Sequence, residues 1–205
     1  PTNPKRPYST RQLIECLRTG AAKFGWSKRH AQPGTQREGR WLIGMGVGVA
    51  FRNNALVKSG ARVRLNDQGI VTVETDMTDI GTGSYTIIGQ TAAEMMGVPL
   101  GKVVVRLGDS SFPVSAGSGG QFGANCSTAG VYAACVKLRE AVAQRLDMNP
   151  DEAVFADGQV RFAGNSVPLG SAAQASEIVA EDSIEFAELS KQYQQSTFGA
   201  HFVEV

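Results

Sequence analysis

The sequence is short of the residues that most often carry chemistry. It holds three cysteines and two histidines in 205 residues. Cys16, Cys126 and Cys135 form no C-x-x-C pair, which argues against a disulfide framework, a zinc ribbon or an iron–sulfur site. With only His30 and His201 as imidazoles, a transition metal held by protein side chains is not expected. No apolar run is long enough to span a bilayer, and no signal-peptide pattern is present. Neither sign of charge dominates: 20 Lys and Arg against 19 Asp and Glu leave a net +1. The densest basic stretch, with Lys28, Arg29, Arg37 and Arg40, lacks aromatics interleaved for base stacking. It reads as a solvated loop rather than a nucleic-acid surface. A Walker G-K-[ST] ending and a GxSxG elbow are also missing, and no motif sets a histidine beside a nucleophile.

What the chain does have is glycine, 24 residues of it, in a composition that is 42% hydrophobic. Such a composition is globular, with many sites where the backbone turns tightly or is closely approached. The chain opens on PTNPKRPYS without an initiator methionine and closes on AHFVEV, an apolar alternation cut short. An internal piece of a longer protein is expected.

Ser9 and Gln12 stand at capping-box spacing ahead of Leu13, Ile14, Leu17, Ala21 and Phe24, predicting a helix over 10–24. Residues 27–40 read as loop. RWLIGMGVGVAFR carries Gly44, Gly46 and Gly48, but alternation continues through Val47, Val49 and Phe51 and no helix follows. A dinucleotide fingerprint needs strand, turn and helix in that order. This is a strand, 41–52, with one face stripped by glycine. Gly60 reads as a turn residue before a hairpin of strands 61–66 and 70–76, closed by Asn66-Asp67-Gln68-Gly69. The turn at 81–83 leads into a helix carrying Ile87, Ile88, Thr91, Met95 and Met96, with Gly97 at its C′ position. A strand follows at 102–107.

A second glycine-rich loop then precedes a helix over 127–147, whose inner face is read as Tyr132, Cys135, Leu138 and Val142. Beyond 151 a short hairpin turns at Asp157-Gly158. Residues 167–180 fit a short helix, 184–196 stay ambiguous, and 197–205 read as a final strand. The expected class is α+β: a mixed sheet with helices packed on one face, a two-layer sandwich. Three segments are expected: 1–40 as helix and connecting loop, 41–150 as the main domain, 151–205 as an extension.

Both glycine turns, 81–83 and 117–123, lie directly before helices. A helix start leaves N–H groups unpaired and carries the positive end of the dipole, so an anion there gains about 0.3–2 kcal/mol. Glycines remove the side chains that would hold a phosphate or pterin away from the backbone. Ser118, Gln121, Asn125, Ser127 and Thr128 add uncharged hydrogen-bonding groups. Against this stands the plain alternative that glycine–serine stretches are flexible linkers. Asp76, Asp79 and Asp109 are candidate acids or bases, but carboxylates at turns are more often caps. The pattern fits a site that binds a phosphorylated, largely neutral ligand and supplies no acid, base or nucleophile of its own.

Three stretches together, GVGVAFR, GIVTVETDMTDIGTGSYTIIGQTAAEMMGVPLGKVVVRLGDSSFP and GSGGQFGANCSTAGVYAACVKLREAV, resemble the molybdenum cofactor-binding subunit of the xanthine dehydrogenase/aldehyde oxidase family. The upstream YSTRQLIECLRTGAAKFGW is similar too, so the resemblance covers 8–147 well and 148–205 loosely. It implies an enzyme that hydroxylates aldehydes or N-heterocycles with oxygen from water. Its molybdenum would sit on the dithiolene of a molybdopterin, in bacteria usually a cytosine dinucleotide, without a protein ligand. The resemblance places Gly81, Thr82 and Gly83 against the pterin, and Ser118, Gly119, Gly120 and Gln121 beside the molybdenum end. Phe122, Gly123, Ala124 and Asn125 would line the phosphate side. It also implies partner modules carrying iron–sulfur clusters and FAD, and leaves the compartment open between bacterial cytoplasm and periplasm.

Two departures stand out. Many members have glutamine between the glycines of the first turn, where this chain has Thr82. The family's catalytic glutamate belongs to a GxGE stretch that is not among these residues, so no catalytic side chain is expected here and the chain alone should be inactive. The alternatives are a stand-alone phosphate- or nucleotide-binding domain, and an assembly module whose glycines only permit tight packing.

Overall fold

The computed structural model describes residues 5–54, 56–184 and 189–205. Two compact units emerge, residues 1–55 with 187–205, and residues 56–186. In chain order the first unit contributes α1 (Leu13–Phe24), β1 (Arg37–Glu38), β2 (Trp41–Leu42) and β3 (Met45–Asn53). The second holds β4 (Ser59–Leu65), β5 (Val71–Thr75), α2 (Ser84–Met96), β6 (Val103–Leu107) and α3 (Gly120–Arg145). It continues through β7 (Val154–Ala156), β8 (Gln159–Phe162), β9 (Asn165–Pro168) and β10 (Ile178–Ile184). The chain returns to the first unit with α4 (Leu189–Gln192) and β11 (Ser196–Glu204).

The second unit is the α+β sandwich the sequence implies. Its sheet runs β10-β4-β5-β6, antiparallel except for the β5–β6 pair. That parallel pair needs a crossover, and α2 provides it. Period-two alternation sends Ala61, Val63, Leu65, Val71 and Val73 to one face. There they meet Ile88, Ala92 and Met96 of α2 and Val131, Ala134, Cys135, Leu138 and Val142 of α3. Each fully buried Val, Leu or Ile contributes about 1.5–3 kcal/mol, so this layer is the main stabilising element. Tyr132 is 51% exposed. Val131, one position earlier, occupies the core face instead.

On the opposite sheet face the alternate residues are charged. Glu74, only 4% exposed, lies 3.0 Å from Arg64, 3.3 Å from Arg62 and 3.6 Å from Arg106. Arg62 and Arg64 also reach Glu181 and Glu177 at 2.9 and 3.0 Å. The hydrogen bond to Glu74 is the main cause holding the Arg64 guanidinium above its usual pKa.

Helix α2 ends as its sequence demands. Gly97 takes φ 62°, its N–H donates to Glu94, and the Val98 N–H donates to Ala93 at 3.0 Å, a Schellman closure. A Cβ on Gly97 would lie 2.3 Å from the Phe155 carbonyl carbon, so packing as well as dihedral requires glycine there.

Four expectations need correction. Helix α1 begins at Leu13 behind Gln12 with no side-chain cap, so Ser9 does not close a capping box. The glycine strand is not in the main sheet: β3 pairs along its whole length with β11, from Asn53↔Ser196 to Met45↔Glu204. Such non-local pairing leaves no local trace. Helix α3 begins at Gly120, seven residues before the expected start, so half of the second glycine loop is helical. The helix expected over 167–180 is limited to a short 3-10 turn at Leu169–Ala173, and 178–180 open strand β10, because Ile178 and Ala180 point inward while Val179 and Glu181 point out.

Within the first unit, α1 lies on the β3–β11 ribbon. A Cβ on Gly20 would come within 2.6 Å of the Phe202 ring, and Phe24 and Trp26 pack on that ring at 5.6 and 5.5 Å between centroids. Gly46, Gly48 and Gly199 have open space where a Cβ would be, and their cross-strand partners Val203, His201 and Ala50 carry the side chains of that ribbon face.

Candidate functional site

The first glycine turn is organised by the residue two places before it. Gly81 and Gly83 have φ of 94° and 85°, left-handed values that glycine adopts without steric cost. The carboxylate of Asp79 accepts the N–H groups of Gly81 at 2.8 Å, Thr82 at 2.9 Å and Tyr85 at 3.4 Å. Partial desolvation pushes the Asp79 carboxyl up, but backbone donors from Gly81, Tyr85, Thr82 and Ser84 outweigh it and hold the pKa below the usual carboxylate range. The amides of Gly81 and Thr82 are therefore already occupied, and so is that of Tyr85 in the first turn of α2. A Cβ built on Gly81 or Gly83 meets nothing within 4 Å, so both glycines present bare backbone outward. Among the described residues, the Thr82 hydroxyl reaches only Ser84, at 3.4 Å.

The second turn is tied to the first. Ser118 donates its hydroxyl to the Thr78 carbonyl. Beneath, Ser127 donates to the Gly123 carbonyl at 2.6 Å and lies 2.7 Å from the Met77 sulfur. Residues 77–79 thus hold both turns, Met77 and Thr78 toward the second and Asp79 toward the first. A hydroxyl chain continues inward from Ser127 to Ser115 at 3.3 Å and Ser59 at 2.5 Å, with the Ala116 N–H donating to Ser59. Asp76 fixes the approach to this loop by accepting the Ser115 N–H at 2.6 Å.

Gly119, Gly120 and Gly123 do different work along this turn. Gly119 is extended at φ −160° and N-caps α3, whereas Gly120 opens the helix at φ 56°. A Cβ on Gly123 would sit 3.1 Å from the Gly117 carbonyl and 3.3 Å from Ser118 Cα, so the turn folds back across its own helix. Gly117 has open space in its Cβ direction. Ala124 and Asn125 lie in the first two turns of α3, both partly buried. The side chains of Gln121 and Phe122 lie outside the described residues.

Neither helix has a side-chain cap from its own N-cap residue or an acid in its first turn. They differ in that Asp79 accepts the Tyr85 N–H in the first turn of α2, at 3.4 Å. Asp109 makes the expected turn contact, accepting the Ser111 N–H and hydroxyl at 2.8 and 2.7 Å, which hold its pKa low. Among the described residues no three His, Cys, Asp or Glu gather to hold a metal ion, and no helix is long and apolar enough to cross a membrane. A separate cleft of about 480 Å³, lined by Asp67, Lys102, Asp157 and Leu169 among others, shares no residue with the turns.

Sequence reasoning passed over Met77, Ser59 and Ser115, and treated Asp79 as an ordinary cap. The D-x-G-x-G spacing at 79–83 was the available signal, since an aspartate two residues before glycine commonly accepts the turn amides.

Comparison with known proteins agrees with this architecture. Residues 19–205 match the molybdopterin cofactor-binding domain family. Over all 205 residues the chain is 64% identical to the aldehyde oxidoreductase molybdenum-binding subunit PaoC of Escherichia coli K12, of which it spans 28%. Over 110 residues, 51% of the chain, it is 36% identical to the putative xanthine dehydrogenase molybdenum-binding subunit XdhA of the same organism, covering 14% of that protein. The fold also matches the CO dehydrogenase of Oligotropha carboxidovorans with a TM-score of 0.74 at 17% identity, covering 96% of this chain and 28% of that one. The chain belongs to the molybdopterin cofactor-binding domain family, matching part of the large subunit of bacterial aldehyde oxidoreductases and xanthine dehydrogenases.

Proposed function

We propose that this chain forms one wall of the cofactor cradle in the large subunit of an aldehyde- or xanthine-type molybdenum hydroxylase. One observation carries this reading: two glycine turns, joined by the Ser118–Thr78 hydrogen bond, present open Cβ directions at Gly81, Gly83 and Gly117. Bare backbone beside uncharged hydroxyls suits a flat, largely neutral pterin, so the residues present fit the group. When bound, the molybdenum cofactor supplies the two-electron oxidation through which oxygen from water enters an aldehyde or N-heterocycle.

The chain's own residues bind and orient. Gly81, Thr82 and Gly83 lie against the pterin through backbone and one short hydroxyl. Ser118, Gly119, Gly120 and Gln121 border the molybdenum end. Phe122, Gly123, Ala124 and Asn125 line the phosphate side, where the acid-free start of α3 favours negative charge. The α2 start is less suited to that task because the Asp79 carboxylate lies beside it, 3.4 Å from the Tyr85 nitrogen. The proton-transferring glutamate belongs to another part of the subunit, so these 205 residues alone should turn nothing over. Iron–sulfur and FAD subunits accept the electrons.

The experiment is chemical analysis of the purified full-length subunit. Acid treatment should release a pterin and an equimolar cytidine nucleotide. A subunit that purifies with neither, from a host that makes the cofactor, overturns the reading.

A further inference from the structure

Glycine permits a left-handed conformation but does not select it, because glycine occupies positive and negative φ about equally well. A turn with glycines at 81 and 83 and open space beside both is free to take many shapes unless something holds it. Among the described residues, α2 reaches Gly81 or Thr82 through a hydrogen bond only by the long Ser84–Thr82 hydroxyl contact at 3.4 Å, which leaves their backbone unheld. Asp79 holds it, through two short bonds from a single carboxylate oxygen, and its other oxygen is 3.4 Å from the Tyr85 nitrogen. Its neighbour Thr78 is held from the far side by Ser118, so the carboxylate starts from a fixed point.

We propose that Asp79 is the positioning residue of the pterin-facing turn: by accepting the Gly81, Thr82 and Tyr85 N–H groups it sets the one shape in which residues 81–83 meet the cofactor. The proposal rests on the cradle reading above. It also defines what the turn offers outward. With its amides turned in to Asp79, the turn presents glycine faces and the Thr82 hydroxyl, a neutral wall suited to a heteroaromatic ring.

The test uses the complete enzyme with its partner subunits and four variants: Asp79→Ala, Asp79→Asn, Asp109→Ala and Gly117→Val. Asp109→Ala removes a comparable turn carboxylate outside both glycine turns. The readouts are molybdenum per large subunit after dialysis, hydrogen exchange across 79–86, and melting temperature. Asp79→Ala should retain clearly less molybdenum than wild type and than Asp79→Asn. Exchange across 79–86 should quicken while melting stays close to wild type. Asp79→Asn keeps an acceptor oxygen and should retain most of the metal, and Asp109→Ala should retain all of it. Wild-type molybdenum in Asp79→Ala overturns the proposal, as does an Asn variant as depleted as Ala. If the Ala variant does not accumulate folded, the Asn variant decides: metal retained with slow exchange supports the role, metal lost at unchanged melting refutes it. Wild-type molybdenum in Gly117→Val defeats the cradle itself, whatever Asp79 does.

Discussion

Ser118 donates its hydroxyl to the carbonyl oxygen of Thr78, forty positions earlier, and so ties the second glycine turn to the first. Beneath it Ser127 bonds the first turn of α3 and contacts Met77, which gives residues 77–79 a hold on both turns. The tie is partly exposed, so its worth in folding is modest while its effect on the relative placement of the turns is large.

Ser118→Ala should therefore cost about 0.5–1.5 kcal/mol, the range for one neutral hydrogen bond. The loss should show locally, as faster hydrogen exchange at 77–83 and 117–119, with molybdenum content of the full-length subunit falling more than its melting point suggests. Unchanged exchange in both turns would show that they are held together by something else.

Gly130 sits where α3 crosses β4. A Cβ there would lie 2.5 Å from the Ser59 carbonyl oxygen, closer than real Cβ atoms approach. In an exposed helix, Gly→Ala gains up to about 1 kcal/mol. Here overpacking opposes that gain and costs about 1–3 kcal/mol. Gly130→Ala should lower stability in urea unfolding. Because the helix must lift from Ser59, the disturbance should also reach the Ser59–Ser115–Ser127 chain under the second turn. Equal or greater stability in the variant would mean that α3 tolerates the shift.

Much of the second unit was legible. The 61–66 and 70–76 strands, the α2 helix and its Gly97 closure follow from alternation, helical spacing and one C′ glycine. The start of α3 was not legible, because Gly120 and Gly123 argue for loop by propensity. What makes glycine necessary at 123 is tertiary: residues 117 and 118 cross over the helix there. Strand β10 was hidden for a similar reason, since its place beside β4 depends on contacts more than a hundred residues away, such as Glu181 with Arg62. At the candidate site the glycines were visible as a pattern. Asp79, Ser118 and Thr78 acquire meaning only through the contacts that join them.

The cysteines provide a pH-dependent check on the core. Burial is the main cause pushing the Cys135 thiol up to about 12, with Arg139 pulling the other way. The ordinary pKa of the thiol, which the unfolded chain has, is 9.0. Below that pH both states are protonated and the group contributes nothing. Above it the unfolded chain ionises while the folded one resists, so stability falls as pH rises from about 9 toward 12. Iodoacetamide at pH 8 should label exposed Cys16 while sparing Cys126 and Cys135 until denaturant is added. Labelling of Cys135 in the native protein at the rate of Cys16 would show that α3 does not pack as described.

The cleanest probe of the cradle is Gly117. Gly120 is the obvious glycine to fill, but its φ of 56° would strain any valine there and confound loss of ligand with loss of fold. Gly60 is no neutral control, since it is buried in β4 and its Cβ would lie 3.2 Å from the Val114 carbonyl. Gly117 has neither problem: its φ is not positive, and nothing lies within 4 Å of its Cβ direction. Gly101, in the short turn before β6, shares both properties and lies outside the two glycine turns. If residues 117–123 were a solvated linker, valine at either position would be harmless. If Gly117 faces the cofactor, Gly117→Val fills space that the cofactor needs, because a β-branched side chain has few rotamers with which to withdraw. Melting curves of both full-length variants should match wild type, while Gly117→Val alone loses its molybdenum. Full molybdenum in Gly117→Val would show the turn to be a linker, and equal metal loss in Gly101→Val would show the effect to be one of bulk anywhere on the surface.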